Sequence, residues 1–155
     1  VQEFLPGEEL SVDVYVDGTG QPLGAVPRTR WKVDSGVAVA GRTVRDEEAM
    51  KLALDTVAAV GLTGPANAQC RRDRDGRLAL LEVNPRFPGS LPLTIAAGFD
   101  IPALALREAQ GIHIEPLGAF REIAVVRHWE DVIIPTTAIP QTVELGASKT
   151  RGWSP

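Results

Sequence analysis

Cysteine is nearly absent. Cys70 is the only one in 155 residues, which excludes an internal disulfide framework and any zinc site built on several thiolates. No apolar run approaches the ~20 residues that span a bilayer. The opening Val1-Gln2-Glu3-Phe4 has neither a basic nor an apolar leader segment. Excess positive charge is lacking too: 16 Lys and Arg face 20 Asp and Glu, for a net charge of −4, which suits broad phosphate-backbone binding poorly. Gly-rich phosphate loops of the Walker or dinucleotide type are missing. These absences point to a cytoplasmic protein with no nucleic-acid partner and no membrane partner.

What is present suits one globular domain, since a chain of this length that is 44% hydrophobic can close a core. Thirteen of the sixteen cations are Arg, the side chain whose rigid fork of donors fits phosphate and carboxylate; only Lys32, Lys51 and Lys149 are Lys. The chain begins at Val rather than Met and reads as a piece of a longer protein.

Residues 8–17 alternate apolar and polar, the period of a half-buried strand. Turn chemistry at Asp17-Gly18-Thr19-Gly20 leads to a second extended run, 22–33, and Asp34-Ser35-Gly36 turns the chain into a third, 37–45, so the three predict an antiparallel meander. Asp46 predicts an N-cap, with Glu47 and Glu48 in the first turn, where the helix dipole favours anions. Met50, Ala53, Leu54, Val57 and Ala58 follow at helical spacing up to Gly61. A hairpin over 66–83, helices over about 91–98 and 102–110, and a strand over about 121–127 complete the order. This order predicts an α+β fold, an antiparallel sheet with helices packed on one side, over 1–134, and an irregular tail over 135–155.

The hairpin carries the densest chemistry. With Asp75-Gly76 as a two-residue type I′ turn, Arg74 pairs with Arg77 and Gln69 lies opposite Glu82. Asn84 and Arg86 share the parity of Glu82 and extend the same face if the strand stays extended. One carboxylate and two amide oxygens suit Mg²⁺, which takes few carboxylates and completes its octahedron with water and phosphates. Arg86 beyond them can clamp phosphoryl oxygens bidentately. The bland reading of the same residues is the polar outer face of an ordinary hairpin. A second feature is Arg28-Thr29-Arg30-Trp31-Lys32, where strand alternation puts Arg28, Arg30 and Lys32 on one face, for phosphate, a substrate carboxylate, acidic side chains or plain solvent. Cys70 points away from Gln69 and reads as a small core residue, while His113 and His128 have no partner at metal-ligand spacing.

The strings Gly64-Pro65-Ala66-Asn67-Ala68-Gln69-Cys70 and Leu80-Leu81-Glu82-Val83-Asn84-Pro85-Arg86 resemble the C-terminal part of an ATP-grasp domain, nearest to carbamoyl-phosphate synthase large-subunit-like members. The opening Gln2-Glu3-Phe4-Leu5-Pro6-Gly7-Glu8-Glu9 is similar to that family's interdomain hinge, and Val26-Pro27-Arg28 and Gly98-Phe99-Asp100-Ile101-Pro102 add two more matches. The resemblance covers about residues 1–134. It implies that Gln2, Glu3, Phe4 and Leu5 meet the adenine edge, Glu9 the ribose hydroxyls, and that Leu81 packs beneath the adenine. It implies Mg²⁺ (or Mn²⁺) on Gln69, Glu82 and Asn84, Arg86 as the catalytic cation, and phosphate or substrate carboxylate on the face of Arg28, Arg30 and Lys32. The activity implied is ATP-dependent ligation of a small carboxylate to an amine through an acyl phosphate. The family's N-terminal half, with the lid and its lysines, is missing from this chain and would be its partner. The departure at Val37-Ala38-Val39-Ala40-Gly41, which lacks polar and basic residues, implies no phosphate contact from that segment. The alternative of a different class is a non-catalytic remnant or partner-binding module that keeps the fold.

Overall fold

The computed structural model describes residues 2–34, 37–128, 130, 133 and 135. The turn expected at Ser35-Gly36 and, apart from Pro135, the tail expected over 135–155 lie outside the described residues. Six strands form one antiparallel sheet: β1 (Glu9–Val16), β2 (Pro22–Asp34), β3 (Val37–Thr43), β4 (Gly64–Arg72), β5 (Leu78–Asn84) and β6 (Ala124–Val126). Their spatial order is β5-β4-β1-β2-β3-β6. Helix α1 (Glu47–Ala59) lies between β3 and β4 in the chain, while α2 (Leu91–Ala97) and α3 (Ile101–Ala109) follow β5.

Local chemistry explains the boundaries. Asp46 accepts a hydrogen bond from the Ala49 amide at 2.9 Å and caps α1. Gly61, at φ +64°, takes the left-handed conformation that lets the chain leave that helix. Asp17 closes the turn after β1 by accepting from the Thr19 and Gln21 amides. Asp100 caps α3 through the Ala103 amide.

The strand period divides β1 between two cores. Leu10, Val12, Val14 and Val16 pack with Ala66, Ala68 and Cys70 of β4 against the Ala49, Ala53 and Val57 seam of α1. Tyr15, on the opposite face, packs with Val26, Ala97, Phe99 and Ile101, in the cluster built around α2 and α3. The α+β class and the antiparallel sheet agree with expectation; the helices are shared between the two faces instead of all lying on one side. The alternation supplied the reason: β1, near the centre of the sheet, buries both of its faces. Gly24 belongs to this second face, where an added Cβ would lie 2.8 Å from Leu117 Cβ and 2.9 Å from Phe99 Cζ. The part of this face formed by β4, β5 and the Arg28 end of β2 carries the polar residues described next.

Candidate active site

The tip of the β4–β5 hairpin departs from the expected two-residue turn. Asp73 N donates to Arg77 O at 2.9 Å, so three residues, Arg74, Asp75 and Gly76, form the loop, and Gly76 has φ +83°. Asp73 braces that loop by accepting from the amides of Asp75 and Arg77, both at 2.9 Å. Burial pushes the Asp73 carboxyl up, but those two amides and the Arg77 guanidinium outweigh it and hold the group below its ordinary value.

The longer loop shifts the ladder by one residue, and a bulge at Leu81 shifts it back. Arg72 pairs with Leu78 and Cys70 with Leu80, but Gln69 pairs with Glu82 and Asn67 with Asn84. Gln69 and Glu82 therefore face each other as the sequence predicts, by a route it does not predict. Gln69 Nε2 donates to Asn67 Oδ1 at 3.5 Å, and Asn84 Nδ2 donates to Glu82 Oε1 at 2.8 Å. Each amide thus spends an N–H on a neighbour and, among the described residues, leaves its own oxygen without a partner. Glu82 enters no ion pair among the described residues. One free carboxylate edge and two free amide oxygens are a donor set that fits Mg²⁺. Among the described residues no three His, Cys, Asp or Glu side chains cluster, so a site of higher ligand charge is not built there.

The strand does not stay extended to Arg86. β5 ends at Asn84, and Arg86 N donates back to Asn84 O at 2.9 Å in a three-residue turn about Pro85. That turn, rather than strand parity, brings Arg86 to a cleft of about 150 Å³ shared with Ser11, Arg28, Arg30, Gln69 and Ser90.

Two of the three expected cations reach this cleft, and both already carry acidic partners. Arg28 is buried and grips Asp13 through Nε at 3.1 Å and Nη2 at 3.0 Å. Arg30 pairs with Glu9, which also lies 3.8 Å from Arg71. Lys32 does not share their face: a bulge at Trp31 interrupts the alternation, and Lys32 stands exposed outside the cleft. Trp31 itself carries the Arg42 guanidinium, 5.6 Å from its ring centre. The expectation of three aligned cations is corrected on this point, because alternation holds only while the ladder is regular.

The opening segment joins the hairpin. Gly7 N donates to Arg72 O at 2.9 Å and Arg72 N to Glu8 O at 3.1 Å. Leu5 is buried, Gln2 and Phe4 are exposed, and Glu3 and Phe4 line a groove with Asp73, Arg74 and Arg77 at the hairpin tip. Leu81 is half-buried on β5. None of the candidate residues lines a separate apolar cavity of about 310 Å³ between β2, α1 and residues 116–120.

Sequence reasoning missed Asp13 and Asn67. Asp13 sits in an alternating strand where a polar residue reads as solvent-facing, yet it is fully buried, with Asn67 Nδ2 donating to it at 2.7 Å and Thr94 Oγ1 at 2.5 Å. The usable signal was parity: Asp13 falls two residues from Ser11 on one strand and Asn67 two from Gln69 on another. Cys70 is a core residue as expected. Burial, then the nearby Asp46 carboxylate, pushes its thiol up to about 11, against the pull of Arg72.

The comparisons with known proteins agree with this fold. Among solved structures, the biotin carboxylase–β,γ-ATP complex of Campylobacter jejuni superposes with a TM-score of 0.60 at 17% identity, over 73% of this chain and 27% of that one. The phosphoribosylaminoimidazole carboxylase ATPase subunit of Aquifex aeolicus gives 0.63 at 17%, over 80% and 39%. The biotin carboxylase domain of the Hydrogenobacter thermophilus 2-oxoglutarate carboxylase, solved with MgADP and bicarbonate, gives 0.58 at 17%, over 77% and 28%. At such identities the likeness is one of fold, and the chain spans between about a quarter and two fifths of these neighbours' lengths. No curated protein matches it. The family described as ATP-grasp in the biosynthetic pathway with Ter operon matches residues 1–132, and the chain belongs to that family.

Proposed function

We propose that this chain is the C-terminal portion of an ATP- and Mg²⁺-dependent carboxylate–amine ligase of the carbamoyl-phosphate synthase large-subunit-like type, with residues 1–134 as its subdomain. The observation that carries the reading is the pairing of Gln69 with Glu82, with Asn84 beside them, next to a cleft that Arg86 enters.

In the reaction a carboxylate oxygen attacks the γ-phosphorus of ATP and ADP leaves. An amine nitrogen then attacks the resulting acyl phosphate, a proton is lost and inorganic phosphate departs. Such phosphoryl transfer depends on positioning and charge neutralisation, so a site of oxygen donors and a guanidinium suffices without a triad. Gln69, Glu82 and Asn84 would hold Mg²⁺, with Mn²⁺ as a substitute. When bound, the metal would neutralise charge on the phosphates. Arg86 would offer two parallel N–H donors to the transferring group. Gln2, Glu3, Phe4 and Leu5 would edge the adenine, Glu9 the ribose, and Leu81 would pack beneath the base. Arg28 and Arg30 would serve the substrate end of the cleft. The remaining phosphate contacts would come from an N-terminal half with its lid.

The test is ADP formation by the full-length protein over a panel of small carboxylates and amines. ADP that appears only with Mg²⁺ and a carboxylate supports the ligase. ADP formation absent under every combination, with no nucleotide bound, supports the non-catalytic module.

A further inference from the structure

Behind Arg28 and Asn67, which line the cleft, lies a carboxylate that the reading above leaves without a role. Asp13 is fully buried, and four hydrogen bonds converge on its carboxylate, from Arg28 Nε and Nη2, Asn67 Nδ2 and Thr94 Oγ1. The donors come from β2, β4 and α2. Burying a carboxylate costs far less when it is paired and hydrogen-bonded this completely. The pairing also consumes one edge of the Arg28 guanidinium. Its Nη1 takes no partner among the described residues, and Arg28 lines the cleft with Arg86, whose Nη1 donates to Phe87 O at 3.2 Å.

The charges in the cleft nearly cancel. Asp13 offsets Arg28 and Glu9 offsets Arg30, which leaves Arg86 as the cation without an acidic partner among the described residues. One uncompensated cation surrounded by Ser11, Gln69 and Ser90 suits a singly charged carboxylate.

We propose that Asp13 is a positioning residue that fixes Arg28 so that its free edge, together with Arg86, receives the substrate carboxylate in this cleft. The assignment rests on the ligase reading of the same site. Asp13 itself touches no substrate; it holds the guanidinium in one orientation, and an unanchored arginine would lose rotamer freedom on binding.

The experiment titrates sodium acetate into the ¹⁵N-labelled chain while following the side-chain Nε–H signals of Arg28 and Arg86. The expected result is that acetate moves both signals along one saturable curve. Asp13→Asn should weaken acetate binding about tenfold while the backbone amide spectrum stays dispersed, as fits loss of a hydrogen-bonded charge. Should Asp13→Asn not fold, Thr94→Val removes one bond to Asp13 at nearly constant shape and should weaken acetate about threefold. The proposal is overturned by unchanged acetate affinity in a folded Asp13→Asn or in Thr94→Val, by movement of the Arg86 signal alone, or by no saturation. Magnesium-dependent ADP formation by the full-length protein is read separately, so a chain that ignores acetate in a protein that still forms ADP sinks the positioning role and leaves the ligase standing.

Discussion

Glu82 stands opposite Gln69 because two one-residue irregularities cancel. The three-residue loop at the hairpin tip moves β5 one step against β4, and the bulge at Leu81 moves it back. A slip of one residue reverses every side chain in a strand, so without the bulge Glu82 and Asn84 would turn toward α1. Opposed residues of an antiparallel pair have Cα atoms about 4.5–5.5 Å apart, inside the span a disulfide bridges. In a Cys70→Ala background, Gln69→Cys with Glu82→Cys should therefore oxidise to an internal disulfide, and Gln69→Cys with Leu81→Cys should not. Mass spectrometry after mild oxidation checks both; the reverse pattern would remove the register on which the cation face depends.

Gly41 lies across from Arg30, and an added Cβ would stand 2.4 Å from Thr29 O. The obstacle is backbone, which cannot rotate away. Gly41→Ala should cost about 1–3 kcal/mol, the range for overpacking, read as a lower urea midpoint. A midpoint equal to the parent's would mean that β2 and β3 approach less closely.

The turn aspartates set an acid limit. Hydrogen bonds from Thr19 and the Gln21 amide hold Asp17 below its ordinary value, as the loop amides hold Asp73. A depressed carboxyl contributes stability that is whole above the unfolded-state value, about 4, and drains away as pH falls through the folded-state value. Urea midpoints should stay level down to about that pH and then fall. Asp73→Asn should flatten the fall without altering its onset from Asp17. An unchanged acid profile in Asp73→Asn would deny Asp73 its share.

Cys70 is buried, and its thiol is raised to about 11. Thiolate, not thiol, attacks disulfide reagents. At pH 8 the folded chain should react with a chromogenic disulfide orders of magnitude more slowly than the chain in urea. Equal rates would place Cys70 at the surface.

Much of this was legible in the sequence. The cap at Asp46, the exit at Gly61 and the alternation of β1 use chemistry that acts within a few residues, and each stands where local rules place it. The pairing of Gln69 with Glu82 was legible only through compensation, since a Gly at the third loop position and a bulge at Leu81 leave no distinct local mark. The face assigned to Lys32 failed for the same reason at Trp31. Parity could place Asp13 on the site's face, but its burial was not legible, because that depends on α2 closing over the sheet through Thr94, 81 residues away. Long-range partners decide whether a polar residue on a strand faces water or a buried cation.

The central claim is that Glu82 serves a bound cation rather than the fold. Glu82 is exposed and in no ion pair among the described residues, so Glu82→Gln should shift stability by no more than about 0.5 kcal/mol, as other surface changes do. Measured in the full-length protein as Mg²⁺-dependent ADP formation beside thermal melting, Glu82→Gln is predicted to lose activity by orders of magnitude at an unchanged melting temperature. Near-normal activity, or a domain that unfolds, would contradict the account.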